Sequence, residues 1–174
     1  MKSKVLHIDP LKCDGCRECE TACAEKHNGT RSIGRKRIGI VSAGPVHGDG
    51  KGIVHVPSTC QQCEDPPCMA ICPKKAIRRE HNPERVVLDP ALCVGCTMCV
   101  SACPTGSMSF AHDVGLAYKC ELCEGDPECV RVCDRKALEY LPSYRMHQPR
   151  VRESALRLLR SSGAKVSSSD SFDD

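Results

Sequence analysis

Cys93-Val94-Gly95-Cys96-Thr97-Met98-Cys99-Val100-Ser101-Ala102-Cys103-Pro104 sets four thiols in the spacing C-x2-C-x2-C-x3-C, and an apolar run ending in Asp89-Pro90 leads into it. The same spacing and lead-in occur once more, at Cys13, Cys16, Cys19 and Cys23, after Val5 to Pro10. Two further blocks open the middle gap. Cys60, Cys63, Cys68 and Cys72 follow C-x2-C-x4-C-x3-C, and Cys120, Cys123, Cys129 and Cys133 follow C-x2-C-x5-C-x3-C. Their followers are alike, Lys-Lys-Ala-Ile and Arg-Lys-Ala-Leu, so the chain reads A, B, A, B, an internal duplication of a two-block module. All 16 cysteines are used and none is left over.

The composition shows why these thiols matter to the fold as well as to chemistry. Aromatics are 3% of 174 residues, with no Trp, so the large side chains that dominate ordinary cores are nearly missing. A cysteine content this high means either a disulfide framework or metal ligation. Zinc sites pair two cysteines and collect the second pair, or histidines, a dozen or more residues away, whereas here three fall within seven residues. Three thiolates two residues apart wrap a loop around three corners of a 4Fe-4S cube. The fourth follows where a helix starts away from that cube, placed to reach a neighbouring one. The cofactors read from the spacing are therefore four 4Fe-4S clusters. Pro73 and Pro104 supply the proline that follows the fourth cysteine in two-cluster ferredoxins; Ala24 and Asp134 depart from it.

Around the blocks, Val5-Leu-His-Ile8 and Arg85-Val-Val-Leu88 read as strands entering a cluster loop. The stretches from Met69 to Ile77 and from Val130 to Leu141 read as short helices leaving one. Lys36 to Gly44 and Gly50 to Pro57, rich in β-branched residues on either side of a Gly/Pro segment, read as a β-hairpin. The cysteine-free end holds a candidate amphipathic helix at about Arg150 to Arg160 and then a Ser/Asp tail. Leu156, Leu158 and Leu159 beside Arg152, Arg157 and Arg160 make the segment from Arg145 a candidate docking element.

Other function classes receive no support. The net charge of +3 makes no case for nucleic acid. No stretch approaches the roughly 20 apolar residues of a membrane span. The first residues carry no export signal, so a cytoplasmic location is expected, unless a signal-bearing partner carries the chain out. There is no nucleotide loop and no nucleophile with a base, so no catalytic residue is expected. The seven histidines, His7, His27, His47, His55, His81, His112 and His147, are expected at the surface or in loops, and the basic runs Arg35 to Arg37 and Lys74-Lys75 on a solvated face. The acids Glu121, Glu124, Asp126, Glu128 and Asp134 around the fourth block predict a lower potential there than at the third.

The runs Lys12 to Cys23, Thr59 to Ile77 and Ala117 to Cys133, in that order, resemble the four-cluster ferredoxin-like subunits of the dimethyl sulfoxide reductase iron-sulfur family. The resemblance covers roughly Val5 to Leu141. It implies an electron-transfer subunit, not itself an enzyme. The partner would be a catalytic oxidoreductase subunit, a tungsten or molybdenum pterin enzyme for aldehyde or formate foremost, then carbon monoxide dehydrogenase or hydrogenase. A flavin/NAD subunit or further copies of the chain are further partners. The alternative is a free polyferredoxin, for which a strongly acidic surface would be expected. Cys99, replaced in some relatives, is present here. The duplication leaves the pairing of blocks open, since both sequential and nested pairings join an A to a B. The family implies the nested one, with ligand sets Cys13, Cys16, Cys19 and Cys133; Cys60, Cys63, Cys68 and Cys103; Cys93, Cys96, Cys99 and Cys72; and Cys120, Cys123, Cys129 and Cys23. The expected fold is α+β: residues 1–27 plus 112–144 as one ferredoxin-like half, 55–111 as the other, 28–54 as a hairpin linker and 145–174 as an extension.

Overall fold

A computed structural model describes residues 4–31, 33–44 and 52–146. Its strands are β1 (Lys4–Ile8), β2 (Ile38–Ala43), β3 (Val54–Thr59), β4 (Ile77–His81), β5 (Glu84–Leu88), β6 (Ser109–Ala111), β7 (Leu116–Tyr118) and β8 (Leu138–Pro142). They form four separate antiparallel pairs, β1 with β8, β2 with β3, β4 with β5 and β6 with β7. The helices α1 (Glu18–Asn28), α2 (Pro67–Ala70), α3 (Met98–Ala102) and α4 (Glu128–Arg131) each carry a cysteine.

α1 is the one helix of several turns among the described residues. Its Ala, Glu and Lys content suits a helix. Glu18 and Glu20 open it and Lys26 and His27 close it, matching the helix dipole. Cys19, Glu20, Cys23 and Ala24 form its buried stripe, and Gly29 ends it, donating to the Glu25 carbonyl. α2 starts on Pro67 at a position where a missing N–H costs nothing.

The duplication is written in the backbone. Gly15 and Gly95, Arg17 and Thr97, and Lys75 and Lys136 share positive φ at matching places in the two modules. Asp9 N donates to Ala137 O and Asp89 N to Ala76 O, both at 2.8 Å, so β1 on β8 repeats β5 on β4. The strand before block one thus pairs with the strand after block four, and the strand before block three with the strand after block two.

Two sequence expectations change. The helices expected from Met69 to Ile77 and from Val130 to Leu141 stop before or at the fourth cysteine. Lys75 (φ 52°) and Lys136 (φ 51°) then turn the chain into β4 and β8, whose ladder partners outweigh any local helix preference. The hairpin is present as β2 and β3, in register from Ile38↔Thr59 to Ala43↔Val54. The boundary at 111/112 falls inside the β6–β7 hairpin, whose Ala111 and Leu116 face one another. The candidate helix at Arg150 to Arg160 and nearly all of the candidate docking element lie outside the described residues.

Buried side chains fall into two groups. One joins Cys68, Cys99, Ile77, Val86, Met108 and Ala117; the other joins Cys19, Cys23, Cys129, Ile38 and Leu138. Cysteine takes the place that aromatics hold in ordinary cores. No helix among the described residues is long and apolar enough to cross a membrane.

Candidate metal centres

Each block is a loop that turns sharply and then runs into a short helix, and the turn presents its first three thiols together. All 16 cysteines are free thiols. Cys13, Cys16, Cys19 and Cys133 line one cavity, walled by Ile40, Val132 and Leu138. Cys60, Cys63, Cys68 and Cys103 line a second, against Val86 and Met108. Cys72, Cys93, Cys96 and Cys99 line a third, against Ile77 and Leu88. Around Cys129, the thiols of Cys120, Cys123, Cys23 and Cys19 lie close enough that their charges would oppose its ionisation. In each of the three cavities three cysteines of one block meet a single cysteine from another.

Burial pushes the thiols up: Cys19 to about 12, Cys123 to about 11, and Cys129 further still. Buried thiols so close together, with no disulfide between them, suit a soft metal that binds them as thiolates and supplies the compensating charge. Donors are already aimed at several sulfurs. Arg37 N donates to Cys23 Sγ at 3.2 Å, Ser107 N to Cys103 Sγ at 3.3 Å and Leu122 N to Cys120 Sγ at 3.5 Å. At Cys103 burial raises the thiol, yet the Thr105 hydroxyl and the amides of Thr105, Ser107 and Met108 outweigh it and hold the group below its ordinary value. The donor set and its hydrogen bonds fit iron-sulfur ligation.

The fourth block has the most elaborate support. Leu122, Cys123 and Glu124 all take positive φ, and Glu121 holds that turn by accepting from Cys123 N at 3.1 Å and Glu124 N at 3.0 Å. Glu121 is gripped in turn by Arg85 at 2.5 Å and Arg37 at 3.6 Å, and the ring of His27, whose pKa burial lowers, lies 3.5 Å away. Asp126 and Glu128 both pair with Arg131. These ion pairs cancel much of the negative charge on which the expected potential order between third and fourth sites was based.

A match to the 4Fe-4S dicluster domain model spans residues 52–141, more than half of the chain. The chain belongs to the 4Fe-4S dicluster family. A 4Fe-4S binding domain model matches residues 5–28 as well, which brings block one within the same class of site. Among dicluster relatives, the polyferredoxin-like subunit of aliphatic sulfonate oxidoreductase from Pyrococcus furiosus is 32% identical over 88% of this chain and 89% of its own length. One component polypeptide of the anaerobic dimethyl sulfoxide reductase of Escherichia coli is 33% identical over 78% of this chain and 71% of its own length. The chain also matches the beta subunit of NADH-dependent phenylglyoxylate dehydrogenase from Aromatoleum evansii, 34% identical over 78% of this chain, while spanning only 30% of that relative's length. The resemblance read from the three cysteine-rich runs therefore holds.

Not every residue is where the sequence put it. His81 and His112 are exposed, as expected, whereas His27 has a side chain only 12% exposed and sits 3.7 Å from Cys123 Sγ through its Nε2. The reason is the packing of α1 on α4, which carries the C-terminal turn of α1 onto block four. His55 is half-buried, its Nδ1 2.8 Å from Ser42 Oγ. His47 and His147 lie outside the described residues. Lys74 and Lys75 are exposed, but Arg35, Lys36 and Arg37 pair with Asp113, Glu20 and Glu121, and are not a free solvated face. Gln62, which ties block two to block four, and Lys119, which ties β5 to it, escaped the sequence reading; no periodicity or spacing distinguishes them.

Proposed function

We propose that the chain carries four 4Fe-4S clusters and relays electrons through them between a catalytic oxidoreductase subunit and a redox partner. The ligand sets are Cys13, Cys16, Cys19 and Cys133; Cys60, Cys63, Cys68 and Cys103; Cys93, Cys96, Cys99 and Cys72; and Cys120, Cys123, Cys129 and Cys23. The observation that carries this reading is the three-plus-one meeting of cysteines around three cavities, with the remaining block-four cysteines gathered about Cys129 beside Cys23 and Cys19. The two ferredoxin-like halves are then blocks one and four with β1 and β8, and blocks two and three with β4 and β5. The β6–β7 hairpin goes with the second half because Ala117 packs beside Cys68 and Cys99.

Bound iron-sulfur clusters supply one-electron redox chemistry, and the chain's own residues do the rest. Backbone amides of Arg37, Ser107 and Leu122 hold ligand sulfurs. Val86, Met108, Ile77 and Leu138 keep water from the sites. Cys16 and Cys96 are the exposed cysteines, so the first and third sites are those open to partners. Substrate chemistry belongs to the partner; the sulfonate and dimethyl sulfoxide enzymes among the relatives support an oxidoreductase subunit, and the family resemblance implies a tungsten or molybdenum pterin enzyme.

Anaerobic iron and sulfide analysis with EPR, on chain purified from its host, tests this. About sixteen of each per chain, together with a copurifying molybdenum or tungsten subunit, is the expected result. Zinc in place of iron, or about eight iron after air has been excluded throughout, would overturn the four-cluster reading.

A further inference from the structure

Lys119 is a buried cation for which the fold supplies no acid. It is 3% exposed, and its ammonium donates to the carbonyls of Val86 and of Cys120, the latter at 2.6 Å. Among the described residues no carboxylate lies within ion-pair distance of it. A desolvated ammonium held only by carbonyl dipoles is unfavourable unless an anion stands nearby. Its surroundings show where that anion belongs. On one side Lys119 lines the cavity shared by Cys60, Cys63, Cys68 and Cys103; on the other it directly precedes Cys120.

Gln62 braces the same place. Its Nε2 donates to Cys120 O at 2.9 Å and its Oε1 accepts from Val86 N at 2.7 Å. Lys119 and Gln62 therefore hold the same two residues, one from each half, and the ammonium has little freedom to leave the seam. A cluster held by four thiolates is anionic and becomes more so with each added electron, and that added charge is most costly where water is absent.

We propose that Lys119 is a positioning residue for electron transfer between the two halves: its fixed positive charge stabilises an added electron at both the second and the fourth sites. The inference rests on the ligand sets proposed above. No bond forms or breaks.

The test is an EPR-monitored redox titration of the full, iron-loaded chain with Lys119→Gln, Lys119→Met and Lys119→Arg. Gln keeps a donor without charge, Met keeps length alone, and Arg keeps the charge. In the Gln and Met variants, two of the four one-electron equilibria are expected to move at least tenfold toward the oxidised form, about 59 mV each, while the other two stay and Arg restores all four. Four unmoved midpoints in the Gln variant at full iron content would overturn the proposal and leave the ligand reading intact. Equal shifts at all four sites, or iron loss from all three variants, would make Lys119 a packing residue and overturn it too. Iron loss from the Gln and Met variants alone, with Arg loading fully, would support the need for charge. A wild-type chain without iron would overturn both readings at once.

Discussion

Gly15 and Gly95 hold the same place in two copies of one loop, with φ of 77° and 69°, yet their neighbours differ. A Cβ at Gly95 would sit 2.3 Å from the carbonyl oxygen of Gly115, which is backbone and cannot yield cheaply; at Gly15 it would meet the ring of His55 at 2.6 Å, which can rotate away. Gly95→Ala is therefore expected to cost about 3 kcal/mol or more and to loosen the third site, while Gly15→Ala costs about 1–2 kcal/mol, chiefly from the left-handed backbone. Thermal unfolding of the loaded chain separates them, and equal losses would refute the backbone argument. His27 makes a second prediction at this scale. Its Nε2 lies 3.7 Å from Cys123 Sγ, and a hydrogen bond to a ligand sulfur favours the reduced state. His27→Leu should lower the potential of one cluster only, read by EPR titration. A cysteine loop tells the reader which glycines bend it, because the duplication repeats them. It cannot tell which of two equivalent glycines has backbone against it, nor that a histidine at the end of a helix comes to rest on another block, since both depend on contacts made across the fold.

α1 is tied to β2 by a buried acid. Glu20 is 1% exposed, accepts from Ile40 N at 2.6 Å and pairs with Lys36 at 2.9 Å, so the helix bearing Cys19 and Cys23 is fixed to the hairpin. Removing one partner of such a pair strands the other. Glu20→Ala is expected to destabilise the loaded chain by about 1–3 kcal/mol, because the Ile40 amide loses its acceptor, and Glu20→Gln, which keeps that acceptor, by clearly less; denaturant melts that place the two variants together would reject the pinning role. At the level of elements, the strands before blocks one and three and the β2–β3 hairpin were legible, because β-branched residues cluster there and Asp-Pro ends the first two. The strands after blocks two and four were not. Ala137 to Leu141 and Ala76 to Arg79 are too short to show a period, and their helix-tolerant residues take strand form only because β1 and β5 arrive as partners.

Across the whole molecule, the spacing alone pointed to iron-sulfur ligation, whereas it left the pairing of blocks open, since the duplication is compatible with both nested and sequential arrangements. The same cysteines raise the question of what stabilises the chain without iron. Among the described residues, four two-stranded sheets, each marginal alone, and helices of at most eleven residues leave little that folds by itself. The two buried groups contain five of the cysteines, and burial raises those thiols above the ordinary value of 9.0, Cys19 to about 12 and Cys129 further still. A folded chain without metal would keep these protons, while the unfolded chain sheds them as pH rises past about 9, so its stability falls as the solution becomes alkaline. Iron binding works in the opposite sense: ligation requires thiolates, so loading releases protons and acid favours loss of the clusters. Anaerobic removal of iron with a chelator is therefore expected to abolish the cooperative thermal transition seen by circular dichroism, and reconstitution to release protons in proportion to the iron bound. An iron-free chain that unfolded as cooperatively and at the same temperature as the loaded one would show instead that the hydrogen-bonded loops and ion pairs, Glu121 with Arg85 and Glu20 with Lys36 foremost, suffice to hold the fold.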